Sequence, residues 1–78
     1  MALALYINRD RRRPERHDLG SVLCLGVLDL LPAGTVEVYH AADVRPRPAW
    51  LAGTPTLVTD DGAALRGYQA LTHLQRLA

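Results

Sequence analysis

The last third of this 78-residue chain constrains its fold more than any other part. Pro55 leads into a short β-branched strand at Thr56–Thr59, and the Asp61-Gly62 dipeptide that follows is typical of a tight hairpin turn. A second strand at Ala63–Arg66 completes the hairpin. Apolar residues then recur at helical spacing, at Tyr68, Leu71, Leu74 and Leu77. This order predicts two antiparallel strands followed by an amphipathic helix.

The residues before this hairpin predict a strand, a helix and another strand. Ala2–Asn8 is largely apolar on both sides, which favours a central strand that is covered on two faces. Asp18 has the position of an N-cap for a helix over Leu19–Leu31, which Pro32 would end. Thr35–His40 is β-branched and predicts the second strand.

The resulting order, β-α-β-β-β-α, predicts an α/β fold in a single domain over residues 1–78. A right-handed crossover would make the first two strands parallel, and the hairpin would add two more. We therefore expect a mixed sheet of about four strands with two main helices. Pro46 and Pro48 exclude a long helix between the second and third strands, so only a short turn around residues 49–51 is expected there.

Composition narrows the possible functions. Hydrophobic residues make up 49% of the chain, yet no apolar run approaches the ~18 residues of a membrane span. A lone cysteine, Cys24, cannot form an internal disulfide, and the three histidines show no metal-ligand spacing. We expect no metal, no cofactor and no membrane insertion, and a reducing intracellular compartment.

Two short motifs carry a family resemblance. Thr54-Pro55 before a strand, and Arg66-Gly67-Tyr68-Gln69-Ala70-Leu71 at the start of the last helix, resemble glutaredoxins of the thioredoxin-like superfamily. The Thr-Pro-Thr-Leu-Val segment is also similar to that of the circadian-clock KaiB proteins. The resemblance implies a thioredoxin-like fold with an abbreviated second helix, a cis peptide bond before Pro55, and Gly67 at the opening of the last helix.

The chain departs from glutaredoxins at two functional places. A Cys-x-x-Cys pair would lie between the first strand and the first helix, where this chain has RDRRRPERH, residues 9–17. The acidic pair that helps glutaredoxins to hold glutathione is replaced by Gln69 and Ala70. Cys24 lies about two turns into the first helix among aliphatic residues, where a thiol has no reason to be acidic. These departures predict a redox-inactive protein.

Two features predict contacts with other molecules. The first is a dense set of arginines, Arg9, Arg11, Arg12, Arg13 and Arg16. They could contact phosphate, the carboxylates of glutathione, nucleic acid or an acidic protein surface, or form a solvated loop. The second is the first helix, whose apolar arc is wider than one core requires. Leu25 and Leu28 are expected on its water-facing side. Trp50 is either a lid over the core or an exposed docking residue.

The sequence therefore predicts a small structural or protein-interaction subunit of a larger assembly, without enzymatic activity. Its partner would be another protein or a second copy, with an acidic surface or nucleic acid near the arginines. One alternative is a glutathione-linked or monothiol oxidoreductase that uses Cys24. Another is an anion-binding module at the arginine-rich segment.

Overall fold

A computed structural model describes residues 3–78, which form a mixed sheet of four strands with two helices. In chain order the elements are β1 (Leu3–Ile7), α1 (Leu19–Leu28), β2 (Val36–His40), β3 (Thr56–Val58), β4 (Ala64–Arg66) and α2 (Tyr68–Leu77). A single 3₁₀ turn, Ala41–Asp43, is the helical element described between β2 and β3. The predicted α/β class, the element order and the four-stranded mixed sheet with two helices are confirmed, whereas α1 ends at Leu28 rather than at Leu31. The expectation for Ala2 lies outside the described residues.

The strand order is β2-β1-β3-β4, so β1 is central. β1 and β2 are parallel, with Leu3 opposite Val36, as a crossover through α1 requires. β1 and β3 are antiparallel, as are β3 and β4, which places Leu5, Leu57 and Leu65 on the same face of the sheet.

Both helices cover one face of the sheet. Leu5, Leu57 and Leu74 are fully buried there, and Leu3, Ile7, Cys24 and Ala70 complete the buried cluster. Gly67 precedes α2 with a φ of 56°, a conformation that favours glycine because it has no Cβ atom. α2 begins directly after β4 for this reason, and its apolar side meets the core.

On the other face of the sheet, the described contact comes from Trp50, in the segment between β2 and β3. Tyr6 lies at the centre of this face and stacks on Tyr39, with ring centroids 5.3 Å apart. Trp50 meets Tyr6 edge-on, also at 5.3 Å. Trp50 therefore covers part of this face while 40% of its surface stays exposed, and its role as a docking residue stays a prediction.

Candidate functional site

The arginine loop, residues 9–17, leaves the sheet where β1 ends and returns to begin α1. It is an ordered excursion, because Arg9 and His17 form an antiparallel bridge. Within it, the Asp10 amide donates to the Arg16 carbonyl at 2.9 Å, and the Arg16 amide donates to the Arg13 carbonyl at 2.9 Å. His17 also contacts His40 at the end of β2, with their Nε2 atoms 3.4 Å apart. The sequence did not indicate this histidine pair.

Asp18 joins the arginine loop, α1 and the segment before β3. Its Oδ1 accepts a hydrogen bond from the Ser21 amide at 2.8 Å, which confirms Asp18 as the N-cap of α1. Its Oδ2 accepts a hydrogen bond from the Thr54 hydroxyl. Ser21 is fully buried, and its hydroxyl accepts from the Asn8 amide at 3.3 Å. The carboxylate therefore ties the first turn of α1 to the segment before β3, at the point where the arginine loop ends.

The bond between Thr54 and Pro55 is cis, as the family resemblance implied, and a second cis bond precedes Pro46. The ring of Pro55 lies directly against the first turn of α1. A Cβ atom placed on Gly20 would be only 2.6 Å from Cδ of Pro55. Absence of a side chain at position 20 allows this close approach.

A cleft of about 420 Å³ opens between the arginine loop and the segment before β3. Four arginines line it: Arg9, Arg11, Arg12 and Arg47. Asp10, Asp18 and Thr54 also contribute to the wall. Of the five arginines singled out by their density in the sequence, three line the cleft, whereas Arg13 and Arg16 do not. Arg47 is added from a distant part of the chain.

Cys24 lies in the core rather than at this cleft. None of its surface is exposed, and burial raises the pKa of its thiol from 9.0 to about 11, with a smaller contribution from the negative charge of Asp18. The thiolate is the form that attacks disulfides. At neutral pH the folded protein therefore holds Cys24 as an inaccessible neutral thiol.

We expect Cys24 to react with an aromatic disulfide reagent at neutral pH at least about a hundredfold more slowly in the folded protein than in urea. The two-unit rise in pKa alone lowers the thiolate fraction by this factor. Since a raised pKa delays ionisation, the folded-state rate should keep rising with pH towards 11 rather than level off near 9. A rapid reaction that levels off near neutral pH would instead support a nucleophilic Cys24.

The outward side of α1 is apolar over its whole length. Leu19 is 75% exposed and Leu23 is 48% exposed, and Val22 is also open to solvent; Leu30, just beyond the end of α1, is exposed as well. No charged residue lies between Asp18 and Asp29. By contrast α2, also of ten residues, exposes the polar side chains of Gln69, Gln75 and Arg76 between Tyr68 and Leu77. α1 therefore presents a surface of the kind that helices normally bury.

The placement of Leu25 and Leu28 on the water-facing side of α1 was wrong. Both are partly buried and pack against the core. The helix directs Ser21 and Cys24 into the interior, which turns Leu25 and Leu28 towards the core and Leu19, Val22 and Leu23 outward. The wide apolar arc is present, but its exposed part consists of other residues.

Asp61 forms hydrogen bonds within the turn between β3 and β4. The Asp61 carboxylate accepts from the Thr59 hydroxyl and from the Ala63 amide, and these hydrogen bonds lower its pKa. It therefore stabilises the β3–β4 turn.

Among residues 3–78, no group of three or more histidine, cysteine or acidic side chains is placed to hold a metal ion. Neither of the described helices has the length and apolar character needed to cross a membrane.

Comparison with known proteins gives no relative. No protein-family model, no curated protein and no solved structure matches this chain.

Proposed function

We propose that this protein has a thioredoxin-like fold without thioredoxin chemistry and works as a protein-interaction subunit. Three features support the thioredoxin-like assignment: the β-α-β-β-β-α order, the mixed sheet with β1 at its centre, and the cis Pro55 against the first turn of α1. The arginine loop occupies the place where redox cysteines would lie. The only cysteine is buried with a raised pKa, which supports the loss of disulfide exchange.

The outward side of α1 carries the proposal of an interaction subunit. We define the α1 face as Leu19, Val22 and Leu23, the large apolar side chains that α1 leaves exposed. Val22 and Leu23 follow Leu19 at spacings of three and four, which keeps the three side chains on one side of the helix and is the pattern of a helix-pairing seam. Fully burying each such side chain stabilises a complex by about 1.5–3 kcal/mol.

The occupant of the α1 face in this proposal is α1 of a second copy. An isologous pair brings the same surface of both subunits together, so a charged group on that surface would lie close to a group of the same charge. The α1 face carries no charge, and its two flanking acids, Asp18 and Asp29, lie at opposite ends of the helix. An antiparallel pair of helices would bury the apolar side chains without bringing like charges together at its centre. A ten-residue helix offers a small area, so the dimer is weak and concentration-dependent.

Light scattering coupled to size exclusion tests this proposal over a wide concentration range. The mass should rise from 8.6 kDa towards twice that value. The double variant Leu19→Glu, Leu23→Glu should weaken the dimer by about a hundredfold or more, because four apolar side chains per dimer are lost. Its circular dichroism should be unchanged, since both side chains already face water in the monomer.

Tyr68→Glu is the matched control for this experiment. Tyr68 is 82% exposed on α2, so the substitution removes a large side chain and adds one negative charge elsewhere, against the two of the double variant. It should change the dissociation constant by less than about twofold. A wild-type protein that stays monomeric at every concentration would contradict the proposal. An equal loss of dimer in Tyr68→Glu would show that charge, rather than the α1 face, governs association.

A further inference from the structure

The cleft at the arginine loop brings together residues that are far apart in the sequence. Arg12 and Arg47 both line it although they are 35 positions apart (47 − 12). Arg13 and Arg45 are their close neighbours in the chain, yet neither lines the cleft. Bringing arginine side chains close together costs free energy, because their like charges repel each other, unless a favourable interaction offsets this repulsion.

The charge of the cleft exceeds that of the whole protein. Four arginines and two aspartates line it, which gives a charge of +2 (4 − 2), whereas the whole chain carries +1. The carboxylates are already engaged. Asp18 accepts from Ser21 and Thr54, and Oδ1 of Asp10 accepts from the Arg12 amide at 2.8 Å. Of the arginine side chains, Arg9 donates to the Pro14 carbonyl at 3.1 Å. Arg11, Arg12 and Arg47 contribute the remaining positive charge of the residues that line the cleft.

We propose that this cleft binds the phosphate group of a small phosphate monoester. Such a group carries a charge of about −1.5 to −2 at neutral pH, which balances the +2 of the cleft. Guanidinium groups donate paired hydrogen bonds that fit phosphate oxygens. A volume of about 420 Å³ holds the phosphate together with a small organic group. Within the described chain, no residue of α1 lines the cleft, and its N-cap Asp18 already accepts from the Ser21 amide, so the arginines hold the anion.

The shape of the site favours a small molecule over a nucleic acid. Single-stranded nucleic acids are bound by basic grooves in which aromatic side chains stack on the bases. None of the described residues that line the cleft is aromatic. The aromatic cluster of Tyr6, Tyr39 and Trp50 is built on a face of the sheet and does not contribute to this cleft. This proposal is independent of the association through α1.

Titration of the full chain with glycerol 3-phosphate, followed by amide NMR shifts and calorimetry, tests the proposal. Inorganic phosphate is a parallel probe that shows whether the organic group contributes. Arg12→Gln and Arg47→Gln should each weaken binding by about tenfold or more, because each removes a charge-assisted hydrogen bond. Arg13→Gln and Arg45→Gln remove the same charge from neighbouring positions, and they should change binding by less than about twofold.

The pH dependence provides a second criterion. The phosphate monoester loses its second negative charge below a pKa of about 6, so binding should weaken at acidic pH. Sulfate keeps both charges in this range, and its binding should not weaken in the same way. An equal effect of all four arginine substitutions would overturn the proposal, because it would indicate unspecific attraction. Absence of saturable binding, or tighter binding of a single-stranded oligonucleotide, would also overturn it.

Discussion

Replacement of Asp18 by alanine is expected to lower the free energy of unfolding by about 2–4 kcal/mol. Loss of an N-cap costs about 0.5–2 kcal/mol, and a partly buried hydroxyl left without its partner costs about 1–3 kcal/mol. Both losses occur together because Asp18 accepts from Ser21 and from Thr54. A domain of this size has a total stability of roughly 5 kcal/mol, so the variant should be close to unfolding.

Urea denaturation in the Leu19→Glu, Leu23→Glu background measures this effect without interference from association. Asp18→Asn keeps an oxygen for the Ser21 amide, so it should retain more than half of the lost stability. Thr54→Val removes only the second hydrogen bond and should have an intermediate effect. A loss of less than about 0.5 kcal/mol in Asp18→Ala would be typical of an ordinary surface position and would show that Asp18 does not join the three segments.

The same substitution at two glycines of α1 should have opposite effects. Gly26→Ala is expected to stabilise the protein by about 0.5–1 kcal/mol, because alanine favours a helix and nothing lies within 4 Å of its new methyl group. Gly20→Ala places that methyl group 2.6 Å from the Pro55 ring and forces the two segments apart. Such overpacking costs about 1–3 kcal/mol.

The difference between the two variants isolates the contact with Pro55, since the chemical change is the same in both. Urea denaturation at equal protein concentration should rank Gly26→Ala above wild type and Gly20→Ala below it. Equal stabilisation in both variants would show that α1 does not pack against Pro55.

The elements that could be predicted from the sequence are those with strong local signals. Asp61-Gly62 specifies a tight turn by its own backbone preferences, and Asp18 specifies the start of α1 by capping its first turn. The spacing of Leu71 and Leu74 orients α2, because polar residues on its other side leave only one apolar side for the core. In each case, the information lies within a few residues.

The orientation of α1 could not be predicted in this way. Apolar residues surround this helix, so its sequence provides little contrast between a core side and a water side. The buried line runs through Ser21 and Cys24, and Ser21 can be buried because its hydroxyl accepts a hydrogen bond from Asn8. That bond depends on the tertiary structure. Leu25 and Leu28 were therefore assigned to the wrong side.

The composition of the cleft also depends on tertiary structure. Arg47 lies in a segment without helical or strand periodicity. The position of this segment depends on contacts with distant parts of the chain, such as that of Trp50 with Tyr6. The density of arginines near residue 11 was visible in the sequence, but the addition of Arg47 and the exclusion of Arg13 were not.

Association through α1 can be tested most directly by NMR of a mixture of isotope-labelled and unlabelled chains. Nuclear Overhauser effects that connect the two kinds of chain report only contacts between copies. The proposed function predicts such effects among the methyl groups of Leu19, Val22 and Leu23, at concentrations where light scattering shows the dimer. If the effects instead connect Val38 and Tyr39, which are exposed on the edge strand β2, or if none is observed, the α1 face is not the interface.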